Sequence, residues 1–167
     1  KVYCNGVGEY ADIEGLQSCK LAPPGTFPTP DRSGLNQCQI GEYNYGGVET
    51  CKTCESGTFN SKKGSSSCSS CLPGTVPLEG NCTACPAGKS ATFGSSSCLD
   101  CKVGEYSVKG AAYCSTVAAG KKVVKLSELR VSTEDCPANT YSTGAADDCQ
   151  GCVGGHSEPG KAQCVVT

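Results

Sequence analysis

Five pairs of cysteines in this chain are separated by two residues: Cys51 and Cys54, Cys68 and Cys71, Cys82 and Cys85, Cys98 and Cys101, Cys149 and Cys152. Thiolates at this spacing can grip a tetrahedral zinc ion, or can carry thiol–disulfide exchange when one such pair lies beside a βαβ unit. A ladder of pairs fits the exchange chemistry poorly. Zinc meets a different obstacle. Cys19-Lys-Leu-Ala22 and Leu35-Asn-Gln-Cys38 occupy the same phase but each lacks a sulfur, and the lone His156 cannot complete both. The third chemistry is structural. Sixteen cysteines, an even number and close to one residue in ten, are what a disulfide framework requires.

Other reactive constellations are weaker. His156 stands in Gly-Gly-His-Ser, which reads as a solvated turn rather than the seat of a general base. Asp147-Asp148 and Glu134-Asp135 read as solvated loop acids. The chain has no Gly-x-Ser-x-Gly elbow, no phosphate-cradling loop and no Asp-rich calcium loop. Neither a catalytic residue nor a cofactor is expected. Asn81-Cys82-Thr83 is an N-glycosylation sequon, and the turns Ser65 to Ser67, Ser95 to Ser97 and Pro28-Thr29-Pro30 are candidates for O-linked sugars.

The elements that must position these cysteines are repeats. From Cys38 the chain reads CQIGEYNYGGVETC-KT, CESGTFNSKKGSSSC-SS, CLPGTVPLEGNC-TA, CPAGKSATFGSSSC-LD and CKVGEYSVKGAAYC-ST. Ten units of about 16 residues follow from this period: 4–19, 22–35, 38–51, 54–68, 71–82, 85–98, 101–114, 117–133, 136–149 and 152–164, forming one array over 1–167. Three residues after the opening position stands Gly25, Gly41, Gly57, Gly74, Gly88, Gly104, Gly120 or Gly155. Asn139 replaces it in the ninth unit and Gly8 takes the role in the first. Gly with an Asn substitute signals a left-handed backbone. A second glycine (Gly15, Gly47, Gly64, Gly94, Gly110, Gly160) marks a tight turn, so each unit reads as two short extended segments around a bend. One apolar residue per unit (Tyr10, Phe27, Tyr43, Phe59, Val76, Tyr106, Tyr141) predicts a thin stacked spine, interrupted at Ser90, Lys122 and Ser157.

The exceptions suggest how the cysteines pair. The second unit has Ala22 and Leu35 where its opening and closing cysteines belong, and the eighth has Val117 and Thr133. Paired loss leaves no orphan thiol if the two cysteines of a unit bond to each other. The bridges implied are Cys4–Cys19, Cys38–Cys51, Cys54–Cys68, Cys71–Cys82, Cys85–Cys98, Cys101–Cys114, Cys136–Cys149 and Cys152–Cys164. Each loop of about 15 residues contributes at most ~3 kcal/mol by restricting the unfolded chain. Eight of them can substitute for a core in a protein with three Phe and neither Trp nor Met. The expected class is small, disulfide-rich and mainly β or irregular, an elongated rod of hairpin-like units with no conventional core.

Charge excludes other classes. Fourteen basic and sixteen acidic residues are dispersed along the chain, with no basic stripe for a nucleic acid. No apolar run approaches a membrane span. The start at Lys1, without Met or a signal-peptide pattern, reads as a processed product or a fragment, and the cysteines imply secretion to an oxidising, extracellular place.

CPAGKSATFGSSSCLDC and CESGTFNSKKGSSSCSSC resemble the short cysteine-rich repeats called ephrin-receptor-like, with looser similarity to tumour-necrosis-factor-receptor and growth-factor-receptor modules. The resemblance implies an elongated extracellular spacer, scaffold or adhesive surface, and it supplies no catalytic residues. Unit eight departs most. Gly120-Lys-Lys-Val-Val-Lys-Leu-Ser-Glu-Leu-Arg-Val131 reads as a strand pair that gains order against a neighbouring chain, and units two and eight read as weak points. The functional expectation is a structural protein that forms or decorates a filament, stalk, wall or flagellar-surface appendage. Its partners are copies of itself, with Lys1 and Thr167 in phase for head-to-tail stacking, or other extracellular proteins, and it carries covalent glycans. The alternative is a ligand-binding or adhesive receptor ectodomain.

Overall fold

The computed structural model describes residues 3–11 and 18–166. Gly15, assigned above to a turn, and the terminal residues Lys1 and Thr167 lie outside the described residues. The fold is disulfide-rich and built from β-hairpins and turns; among the described residues there is no helix, and ten antiparallel two-stranded sheets follow one another along the chain. The chain divides into two compact units, Lys1–Cys71 with Pro77–Cys82, and Leu72–Val76 with Thr83–Thr167.

One rule generates most hairpins. The two residues after the left-handed residue form the outgoing strand, and the invariant two-residue spacer between successive cysteines forms the return strand. Glu42–Tyr43 thus pairs with Lys52–Thr53, Glu105–Tyr106 with Ser115–Thr116, and Thr140–Tyr141 with Gln150–Gly151. The strands are too short to stand alone. Most are closed by a hydrogen bond in which the next opening residue donates to the left-handed residue's carbonyl, as from Cys38 to Gly25 at 2.9 Å and from Cys136 to Gly120 at 2.8 Å. Asn139 keeps the left-handed conformation with φ 63°.

In the tenth repeat the phase differs by one. The left-handed residue is Gly154, with φ 70°, and Gly155 begins the strand Gly155–His156. His156, not Ser157, therefore holds the position of Tyr43 and Tyr141. A missing residue between Cys152 and the turn shifts everything after it.

Repeats also bond to one another inside each unit. In the first unit, the Gly25 amide donates to Asn44 of the following repeat, and the Gly47 amide returns a bond to the Ala22 carbonyl at 2.8 Å. In the second, the same return bonds run from Gly110 to Cys85, from Ala145 to Val117 and from Gly160 to Cys136, all at 2.8–2.9 Å. Contact reaches two repeats ahead as well. A Cβ on Gly25 would lie 1.9 Å from the Gly64 carbonyl oxygen, and one on Gly104 would lie 2.1 Å from that of Ala145. Glycine at these positions is a matter of space as well as of φ.

The interior differs from the expected spine. Tyr43, Phe59, Tyr106 and Tyr141 are only half-buried, and the described aromatic contact is a T-shaped pair within one repeat, Tyr43 and Tyr45, with ring centroids 5.4 Å apart. Within each unit the recurring buried positions are the opening residues and the residues three after the left-handed ones. The buried opening positions include Ala22, Cys38 and Cys71 in the first unit and Cys85, Val117 and Cys136 in the second, so Ala22 and Val117 fill the place where cysteine is missing. The other recurring buried positions include Asn44 and Asn60 in the first unit and Ala91, Ser107, Val123, Ser142 and Ser157 in the second.

Candidate functional site: disulfides, a polar ladder and two ionic clamps

All sixteen cysteines are bridged, in the pairs Cys4–Cys19, Cys38–Cys51, Cys54–Cys68, Cys71–Cys82, Cys85–Cys98, Cys101–Cys114, Cys136–Cys149 and Cys152–Cys164. The Cα atoms are 5.6–5.8 Å apart, an ordinary span for a disulfide. The two cysteines of every Cys-x-x-Cys thus belong to different bridges and leave no thiolate for zinc or for exchange chemistry.

Between bridges runs a ladder of buried polar side chains. Asn44 accepts from the Gly25 amide at 2.8 Å through Oδ1 and donates from Nδ2 to the Thr26 carbonyl at 2.9 Å. Asn60 repeats the arrangement one unit on, with Gly41 and Glu42, both at 2.8 Å. Two serines donate their hydroxyls to the equivalent carbonyl, Ser107 to Lys89 at 2.8 Å and Ser157 to Thr140 at 2.6 Å. Short hairpins leave carbonyls turned toward the next repeat, and a buried carbonyl needs a donor. Asn44, Asn60, Ser107 and Ser157 meet that need.

The two repeats without a bridge are held differently, and in the same way. In the second, Arg32 forms an ion pair with Glu49 of the third repeat at 3.0 Å and donates to the Gly6 and Glu9 carbonyls of the first, at 2.9 and 3.0 Å. Glu49 in turn accepts the Gly8 amide at 2.7 Å. In the eighth, Arg130 Nη2 lies 2.8 Å from Asp147 Oδ2 of the ninth repeat, and Nη1 donates to the Cys101 carbonyl of the seventh at 3.2 Å. Asp147 accepts the Gly104 amide at 2.9 Å. Each clamp therefore ties three consecutive repeats through one arginine and one carboxylate.

The eighth repeat adds a second cation. Lys121–Leu126 pairs with Leu129–Asp135, and the register shifts between Val124 and Lys125 so that Lys125 faces Arg130. That irregularity adds an extra residue to the longer strand and turns both cations toward Asp147, with Lys125 Nζ at 2.8 Å. Arg130 is the chief reason that the Asp147 carboxyl is held well below the usual carboxylate range; the Gly104 amide and Lys125 reinforce it against the penalty of burial. The reciprocal effect raises the Arg130 guanidinium.

Asp147 is accordingly not the solvated loop acid expected from its neighbourhood in sequence; it is 8 % exposed. The other two cations of the eighth repeat are paired across its own strands. Lys121 meets Asp135 at 2.6 Å and Lys122 meets Glu134 at 3.0 Å across the strands. The clamps had a signature in the sequence. Arginine stands six positions before the next opening cysteine in the second and eighth repeats alone, and an acid stands eleven after the opening cysteine in each following repeat.

The remaining candidates do not converge. His156 is exposed at the edge of an open depression of about 400 Å³, lined also by Glu158, Lys161 and Val165. Asn81 and Thr83 are exposed and Cys82, between them, is turned inward. No group of three or more His, Cys, Asp or Glu among the described residues could hold a metal ion. No helix among them is long and apolar enough to cross a membrane.

With this geometry, the comparisons define a class. Residues 41–77 match the family described as tyrosine-protein kinase ephrin type A/B receptor-like. Over 104 residues the chain is 35% identical to mouse sushi, von Willebrand factor type A, EGF and pentraxin domain-containing protein 1, and 34% identical to the rat protein of the same name. These matches take in 55% of this chain and 3% of either relative, so the chain spans a small fraction of their length. The chain is made of extracellular-type cysteine-rich repeats, similar to the ephrin-receptor-like repeat over 41–77.

Proposed function

We propose that the chain is a non-enzymatic structural component outside the cell, a repeat segment that forms or decorates a filament, stalk, wall or surface appendage. The observation carrying this reading is how the polar and reactive groups are employed. Every thiol is bridged, Asn44, Asn60, Ser107 and Ser157 answer carbonyls of adjacent repeats, and the most perturbed carboxylate, Asp147, is occupied by Arg130, Lys125 and the Gly104 amide. Chemistry that an enzyme would direct at a substrate is here directed at the next repeat. The complete bridging also favours secretion over residence in a reducing compartment.

A second reading, a binding or adhesive ectodomain, is favoured by one observation. Val7, Ile40, Val103 and Val153 each immediately precede the left-handed glycine of their repeat and are 49–96 % exposed. Apolar residues at a constant phase suit the recognition of another extracellular protein. Electron microscopy and sedimentation of the purified, oxidised chain separate the readings. Regular fibres support the structural role, and a monodisperse monomer that captures a partner supports the ectodomain.

A further inference from the structure

We propose that Asn81 carries an N-linked glycan, attached in competition with closure of the Cys71–Cys82 bridge. This rests on the extracellular reading above.

Asn81-Cys82-Thr83 is an acceptor sequence whose middle residue is a half-cystine. In the strand Asn81–Ala84 the side chains alternate, so Asn81 and Thr83 point to one side and Cys82 to the other. Asn81 and Thr83 are both exposed. The amide that would carry the sugar and the hydroxyl that a transferase must recognise are therefore presented together, with the bridge behind them. The strand begins directly after Glu79 and Gly80, both at positive φ (49° and 78°), so Asn81 is the first residue out of a tight two-residue turn. A bulky polar substituent there projects into solvent without displacing a packed side chain.

The donor is an oligosaccharide linked to a polyprenyl diphosphate. The Asn81 Nδ2–carbon bond to the sugar forms, the sugar–phosphate bond breaks, the polyprenyl diphosphate departs, and the amide gives up one proton. A transferase must bend Asn-x-Thr into its own site. While Cys82 is free the segment can comply. Once Cys82 is tied to Cys71, in the shortest loop of the chain at a separation of 11, the strand is fixed in its hairpin. Sugar transfer and bridge formation are therefore rivals in time, and the folded geometry accommodates both products.

The test is expression of the whole chain with a secretion signal in eukaryotic cells, followed by intact mass before and after an N-glycosidase. The expected result is a mixed population whose heavier form collapses to the lighter on treatment, converting Asn81 to Asp. Asn81→Gln and Thr83→Ala each abolish the heavier form. Cys71→Ser with Cys82→Ser raises the glycosylated fraction, as does a brief pulse of thiol reductant applied to cells making the wild-type chain. The pulse keeps the test valid if the double variant is not secreted. Secretion of a fully bridged chain without sugar overturns the site, whereas complete occupancy, or occupancy unmoved by the pulse, overturns the competition. Failure of the chain to be secreted or oxidised counts against the extracellular reading instead.

Discussion

Arg130 and Asp147 are joined by a two-pronged contact, with Nε 3.0 Å from Oδ1 and Nη2 2.8 Å from Oδ2, although they belong to different repeats. Their counterparts, Arg32 and Glu49, stand in the same places in the first unit. In both cases the repeat that contributes the arginine lacks a disulfide. A covalent tie within one repeat has been exchanged for an ionic tie among three.

Replacing Asp147 with Asn keeps the shape and removes the charge. The Gly104 amide and the strands Lys121–Leu126 and Leu129–Asp135 are expected to lose hydrogen-exchange protection worth about 1.5–3 kcal/mol, the range for a hydrogen bond to a charged group. Protection in the repeats closed by Cys38–Cys51 and Cys54–Cys68 is expected to hold. Unchanged exchange at Gly104 counts against the clamp.

Acid should act on the same site with a definite sign. The Arg130 guanidinium, helped by the Gly104 amide and Lys125, lowers the folded-state value of Asp147 against the penalty of burial, so the unfolded chain binds its proton more readily. The contribution of the clamp is complete above about pH 4, the ordinary carboxylate value. It declines as pH falls below that and vanishes only beneath the lower folded-state value. Hydrogen exchange at Gly104 followed from pH 6 downward, about two units to either side of that value, reads the decline. Loss of protection already complete above the ordinary value contradicts the assignment.

The first clamp should respond to salt where the second does not. The Glu49 side chain is 41 % exposed and that of Asp147 is 9 % exposed. Screening acts on exposed pairs far more than on buried ones. Raising ionic strength is expected to speed proteolysis at Arg32 while cleavage at Arg130 stays slow, as mass spectrometry of timed digests will read.

Two glycine substitutions separate space from conformation. Gly25 and Gly41 share a positive φ, 80° and 82°, but the first faces the Gly64 carbonyl and the second has nothing within 4 Å. Gly41→Ala should lose only the left-handed penalty of about 1–2 kcal/mol. Gly25→Ala adds a steric overlap with the backbone and should unfold at distinctly lower denaturant. Equal midpoints would sink the argument for contact two repeats ahead.

The ladder can be tested at Asn44. Asn44→Ala leaves the Thr26 carbonyl without its buried donor, while the Gly25 amide keeps only the main-chain carbonyl of residue 44. A loss of about 1–3 kcal/mol is expected in chemical unfolding, reflecting a desolvated carbonyl without its hydrogen bond. Asn44→Ser, which imitates Ser107, should recover part of it.

The period, the left-handed positions and the hairpin character were legible because each depends on residue type at a fixed local spacing. Asn139 could be read as a glycine substitute for that reason. What escaped depends on relations between repeats. Gly154 and Gly155 are adjacent, and only the strand that follows decides which one turns. Asp147 looked like a surface acid because its partners come from another repeat. Tyr43 and Tyr106 invited a spine, yet the chain buries Asn44 and Ser107, one residue further on, because unsatisfied carbonyls lie there. Hydrophobicity alone points to the wrong neighbour.

Each disulfide joins cysteines 11 to 15 positions apart, and none joins different repeats. On the extracellular reading proposed above, both sulfurs of a pair would enter an oxidising compartment within moments of each other, before the next pair arrives. Oxidation can therefore proceed in the order of translocation, with little call for an isomerase to undo mistaken pairings. The length of such a chain can grow by further units without making its maturation slower per unit.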